Sequence, residues 1–143
     1  MEELADREWR LIRERRRPGA VQMALDEVAA ETAAAGGPRT VRVYRWPGTL
    51  SLGYHQGPET VDWRHCEGAG VDVTRRRTGG GGIYHDPVGD ISYSIAVPAG
   101  EVPSDLTDSY QQLLEPILRA LHRLDVPAQL AEVSEPPLSD PSC

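Results

Sequence analysis

No lysine occurs in the 143 residues, and all 15 basic side chains are arginine. A Walker-type phosphate loop closes on Gly-Lys-Ser/Thr, so the glycine run Gly79–Gly82 is not one. The dinucleotide fingerprint fails too, because His85 stands where its third glycine belongs. Cysteine is scarce: Cys66 and Cys143 are too few for a disulfide framework and lack metal-ligand spacing, and Cys66 is expected to be a buried small apolar residue. No apolar run approaches the length that spans a bilayer, and Met1-Glu2-Glu3-Leu4 lacks the basic-then-apolar pattern of a secretory signal. The expectation is a cytoplasmic protein without a membrane partner. A net charge of −7 and a pI near 5.0 exclude general nucleic-acid binding as the expected role, and leave Arg13–Arg17 as a solvated basic cluster.

The length suits one domain with one core. Residues 9–12 read as an opening strand, and Pro18 marks the entry to a helix on which Val21, Leu25, Val28 and Thr32 share a face. Gly36-Gly37 ends that helix as a left-handed cap. Asp26 and Glu27 on it read as solvated or helix-end charges. Residues 40–45 alternate, Trp46-Pro47-Gly48 turns the chain, and residues 49–54 follow as a second strand antiparallel to the first. A short helix over residues 61–67 and a strand carrying Val71 and Val73 lead to Arg75–Arg77. Further on, Ser104 is the expected N-cap of a core helix with an apolar stripe from Leu106 to Leu124 and a kink at Pro116. A last strand is expected over residues 126–130, and residues 134–143, with three prolines, are expected to be irregular. No internal repeat is visible.

The stretch Arg75-Arg76-Arg77-Thr78-Gly79-Gly80-Gly81-Gly82-Ile83-Tyr84-His85-Asp86 concentrates the chemistry. Glycines accept positive φ and expose backbone N–H groups, which makes an anion cradle possible. Arginine adds planar donors that fork onto a carboxylate or phosphate. Strand alternation separates Arg76 from Arg75 and Arg77, so Arg76 is the one expected to point into a pocket. A catalytic dyad of His85 and Asp86 is rejected, because neighbours in an extended segment face opposite ways and no nucleophile elbow is present. His85 reads instead as a pocket-wall or loop-ordering residue.

This stretch, with Gly89-Asp90 and residues 91–97 behind it, resembles the signature loop of the lipoate-protein ligase family, whose catalytic fold is shared with biotin protein ligases and octanoyltransferases. Three upstream pieces match in order: residues 22–27, Tyr44-Arg45-Trp46, and residues 51–56. The resemblance implies an α+β fold, a mixed, mainly antiparallel sheet with helices packed on it. Residues 1–133 would be the N-terminal portion of one catalytic domain, incomplete at the C-terminus, with 134–143 an irregular tail. It implies ATP-dependent activation of lipoate to lipoyl-adenylate, with Mg²⁺, and transfer to a lysine of a carrier domain of 2-oxoacid dehydrogenases or the glycine-cleavage H protein. Arg76, Gly79, Gly80, Gly81, Gly82, Ile83, Tyr84 and His85 would bind ATP or lipoyl-adenylate, and Ser51, Gly53 and Gln56 would line the acyl slot. Asp26 and Glu27 would have a structural role near the glycine loop.

The sequence departs from the family where a lysine should follow the irregular stretch to hold the acyl carboxyl and the α-phosphate. The catalytic residue is therefore unassigned, the chain alone is expected to turn over little, and a separate C-terminal ligase subunit is a candidate partner. Two other readings stand beside ligation. An octanoyl or lipoyl transferase of the same fold passes the acyl group between carriers through a thiol without ATP, and Cys143 is the only late cysteine. A non-catalytic acyl or nucleotide binding module is the other. A thiolate needs a neighbouring positive charge or helix N-terminus, and the sequence around Cys143 shows neither.

Overall fold

The protein is described from a computed structural model over residues 7–130. The chain divides into two units, Met1–Pro98 and Ala99–Cys143. The expected irregular tail, 134–143, lies outside the described residues.

The first unit contains β1 (Trp9–Arg13), α1 (Gly19–Ala34), β2 (Arg39–Tyr44), β3 (Thr49–Leu52), α2 (Trp63–Ala69), β4 (Asp72–Arg75), β5 (Ile83–His85) and β6 (Ser92–Ala96). The strands form two three-stranded sheets, β1-β2-β6 and β4-β3-β5. β1 pairs parallel with β2 and β3 with β4, whereas β2–β6 and β3–β5 are antiparallel. The expected hairpin between residues 40–45 and 49–54 does not form: β2 and β3 lie in different sheets, and each finds its antiparallel partner much later in the chain. Hairpin spacing thus understated the parallel share of a mixed architecture. β3 also ends at Leu52, which places Gly53 just beyond the strand rather than inside it.

α1 begins after Pro18, as expected, and ends ahead of Gly36 at φ +83°. Its first free N–H, on Gly19, donates to Asp72 Oδ2 at 2.6 Å, so a carboxylate from β4 fixes the positive end of the helix. The buried face is Gly19, Gln22, Ala29 and Ala33, one residue off the apolar stripe expected from the sequence; Val21 and Val28 are exposed. Small residues let the helix lie close to the sheets, and Gln22 is tolerated inside because its amide donates to Arg45 O and accepts from Arg42.

β2 alternates as expected, but its polar face is the one turned inward: Thr40, Arg42 and Tyr44 are buried. Arg42 reaches Glu14, Gln22 and Asp26, while Tyr44 and Ser94 also donate to Asp26. Asp26 is therefore the hub of a partly buried polar cluster rather than a solvated charge. A buried guanidinium is stable only when its donors are met, and here Nε alone is without a partner. A second cluster, Leu52, Val61 and Cys66 with Leu50, Val71 and Val73 against it, packs below β3. α2 runs two residues later than expected, because Asp62 caps it by accepting from His65 N and Gly70 at φ +64° closes it.

The second unit is built on α3 (Leu106–Arg123). Its N-cap is Asp105, not Ser104, since the Asp105 carboxylate accepts from the N–H groups of Thr107 and Asp108. Pro116 lies inside it, and none of its residues is buried, so the expected core helix is an amphipathic one. Residues 126–130 form no strand.

Candidate functional site

The glycine loop is laced to the end of β3. Arg76 N donates to Leu52 O at 3.0 Å and Tyr54 N to Thr78 O at 2.9 Å, carrying the β3–β4 pairing past the last strand residue. The loop then doubles back over Gly53, where a Cβ would stand 1.9 Å from Gly80 O. Only glycine allows that approach. What comes close to Gly53 is thus the protein's own loop backbone. Gln56 caps the same turn, its Oε1 accepting from Gly53 N at 2.9 Å. Gly80 has φ +90°, the left-handed region that favours glycine, and the whole run Gly79–Gly82 is exposed.

Arg76, just past the end of β4, turns onto the glycine loop itself rather than into a ligand pocket. Its Nη2 donates to Gly79 O at 2.8 Å and Gly81 O at 2.7 Å, and its Nη1 to Ser51 O at 3.0 Å. Its neighbours turn elsewhere. Arg77 pairs with Glu27 at 2.7 Å, which ties the loop's base to α1, and Arg75 reaches Tyr54 O at 3.4 Å. All three arginines are engaged within the chain.

His85 occupies the end of β5 opposite Thr49. It does not touch Asp86, whose carboxylate accepts from Val88 N and Gly89 N in a tight turn; those two bonds hold its pKa below the ordinary carboxylate value. The turn instead returns Asp90 to the imidazole: His85 Nδ1 lies 2.6 Å from Asp90 Oδ2, and Nε2 lies 3.0 Å from Ser51 Oγ. The Trp46 ring stacks on His85 at 4.1 Å, and Trp46 Nε1 donates to Ser92 Oγ, which in turn donates to Asp90 Oδ1. Ser51, His85 and Asp90 therefore stand in the order of a catalytic triad, yet Ser51 is only 1% exposed. A substrate carbonyl has no access to its hydroxyl, so the trio positions rather than attacks.

The structure brings Ser51, Gly53, Arg76, Gly79–Gly82 and His85 together and sets Gln56 at their edge. Ile83 and Tyr84 continue from the loop with exposed side chains. Sequence reasoning missed Asp90 and Trp46 as partners of His85. The available signal was Asp86-Pro87-Val88-Gly89, whose turn chemistry brings residue 90 back beside residue 85. Among the described residues no group of three or more His, Cys, Asp or Glu side chains is placed to hold a metal.

The family model described as the lipoyl protein ligase A/B catalytic domain matches residues 18–140. The chain belongs to that family. Among curated relatives, an octanoyltransferase LipM of Kyrpidia tusciae is 34% identical over 132 residues, 89% of this chain and 47% of that protein. One from Geobacillus kaustophilus is 35% identical over 133 residues, 90% of this chain and 47% of that protein. Among solved structures, a lipoate-protein ligase A bound with ATP superposes with a TM-score of 0.70 at 31% identity, covering 91% of this chain and 53% of that one. A bipartite lipoate protein ligase from Thermoplasma acidophilum gives 0.69 at 29%, covering 87% of this chain and 49% of that one. The chain thus spans about half the length of the relatives it matches.

Proposed function

We propose that this chain supplies the acyl-binding part of an octanoyltransferase, which moves an acyl group from a thioester carrier to a lysine of a lipoyl carrier domain. The observation that carries this reading is the engagement of Arg75, Arg76 and Arg77 by partners in the chain. A triphosphate calls for cations free to meet it, so the donor set fits ATP poorly. A thioester is uncharged and asks only for N–H donors at its carbonyl oxygen, which an exposed glycine loop provides. The octanoyltransferases matched over most of this chain support the same reading.

In that chemistry a cysteine thiolate attacks the donor's thioester carbonyl, forming a new C–S bond, and the donor's sulfur leaves and takes up a proton. The lysine amine of the carrier domain then attacks the new thioester; the C–N bond of the amide forms as the C–S bond breaks, and the amine's proton passes to the departing thiolate. Each addition places negative charge on the carbonyl oxygen, which the loop N–H groups would hold. Cys66 is unsuited to the nucleophile's role, since it is 7% exposed and packed against Leu52 and Val61. The remaining thiol of these residues is Cys143, which lies outside the described residues; the charge or helix N-terminus that activates it would have to come from elsewhere in the protein.

ATP-dependent ligation of lipoate is the second reading, favoured by the solved ligases that superpose on the chain. The deciding experiment gives the full protein a lipoyl carrier domain and one of two donors, an octanoyl thioester without ATP or free lipoate with ATP and Mg²⁺. Intact-mass spectrometry should show the carrier modified in the first arm. Modification only in the second establishes ligation and overturns the transferase. Modification in neither, with acyl binding retained, leaves a binding module.

A further inference from the structure

A trans peptide directs its C=O and its N–H to opposite sides. The carbonyls of Gly79 and Gly81 both turn toward Arg76, so the N–H groups that share their peptide planes, those of Gly80 and Gly82, are directed away from it. The face of the loop that a ligand would meet is thus set from behind by one guanidinium. Arg76 is held in turn. Its Nη1 meets Ser51 twice, at the carbonyl oxygen at 3.0 Å and more loosely at Oγ at 3.4 Å.

The next links fix the polarity of the chain. Asp90 Oδ2 lies against His85 Nδ1, which calls for a proton on Nδ1 and, in the neutral imidazole, leaves Nε2 an acceptor. The Ser51 hydroxyl therefore donates to Nε2 and keeps its lone pairs toward Arg76. Every donor points the same way, from Arg76 through Ser51 and His85 to Asp90, an arrangement in which successive bonds polarise one another. Trp46 stacked on the ring and Ser92 on the second Asp90 oxygen brace the imidazole in this orientation.

We infer that Arg76 is the internal template of the glycine loop, and that Asp90 is a positioning residue acting on it through His85 and Ser51. The inference rests on the proposal that the loop's N–H groups meet the ligand, but its test does not need the reaction. A chain labelled with nitrogen-15 at its 14 glycines reports each loop amide directly. In Arg76→Lys a single ammonium cannot span the carbonyls of Ser51, Gly79 and Gly81. The Gly80 and Gly82 signals should shift and lose protection from solvent exchange, while those of Gly36 and Gly70 stay in place. Asp90→Ala should reproduce that pattern more weakly. Asp90→Asn, which keeps an oxygen for His85 Nδ1, should restore it.

Should Asp90→Ala fail to fold, Ser51→Ala breaks the same link without touching Asp90, and the same two glycine signals should move. Unmoved loop signals in Arg76→Lys overturn the template. Asp90→Asn behaving like Asp90→Ala, or unmoved signals in Ser51→Ala, overturns the role of Asp90. Loss of the transferase reading alone changes none of these spectra.

Discussion

A methyl group added at Gly53 would sit 1.9 Å from the carbonyl oxygen of Gly80, whereas one added at Gly81 meets nothing within 4 Å. Gly80 lies between these cases: its φ of +90° strains any L-residue, and its Cβ would stand 3.1 Å from Arg76 Nη2. Denaturant unfolding should rank the alanine variants accordingly. Gly81→Ala should change stability by no more than about 0.5 kcal/mol, Gly80→Ala should cost about 1–2 kcal/mol, and Gly53→Ala more than either, because a backbone carbonyl cannot swing aside. Equal effects at Gly80 and Gly81 would mean that the loop adapts freely. Arg76→Ala should likewise cost about 1–3 kcal/mol by stripping donors from three carbonyls, with Arg75→Ala and Arg77→Ala within about 1 kcal/mol as exposed contacts. The sequence pointed to Arg76 because strand alternation separates it from its neighbours. Four identical glycines, by contrast, carry no mark of which one takes the positive φ.

At the level of elements, α1 and β2 meet through a polar cluster. Removing Asp26 leaves the buried Arg42 with Glu14 as its carboxylate partner but strips the acceptor shared by Arg42, Tyr44 and Ser94, so Asp26→Ala should destabilise the chain by about 1–3 kcal/mol. An unfolding midpoint near that of the parent would show that water reaches Arg42. Burial raises the pKa of the Tyr44 phenol well above its ordinary value of 10.0, and the Asp26 charge and hydrogen bond add to the shift. The unfolded chain therefore loses this proton first as pH rises. The stabilising contribution is complete below pH 10.0 and falls above it, by about 1.4 kcal/mol per pH unit, until the folded phenol ionises as well. Unfolding measured on either side of that pH should show the slope, and Tyr44→Phe should flatten it. Periodicity revealed both elements but misplaced the buried face of α1 and left that of β2 open. Valine marks an apolar stripe on α1 and on β2, and hydropathy favours burying it. Yet Arg42 brings Gln22 and Asp26 inward, and alanines rather than valines let the helix come close. Such mutual satisfaction of polar partners far apart in sequence leaves no periodic trace.

For the molecule as a whole, local signals located most strands and helices, while the assignment of β2 and β3 to separate sheets was hidden because their partners lie dozens of residues away. The absence of lysine, plain from the sequence, bears directly on the chemistry. These 143 residues carry no side-chain amine that could accept an acyl group as a stable amide. If the transferase reading holds, an acyl group found on them after exposure to an octanoyl thioester should be a thioester rather than a side-chain amide. With Cys66 packed in the core, it must sit on Cys143. The full protein incubated with that donor, without carrier domain, should gain one acyl group within this stretch. Neutral hydroxylamine should remove it; Cys143→Ser should prevent it and Cys66→Ser should not. An adduct that resists hydroxylamine would be an amide and would overturn the thioester; no adduct, with the carrier domain modified only with ATP, would shift the chemistry to a mixed anhydride with adenylate. The engaged arginines would then have to release their present partners to meet the phosphates.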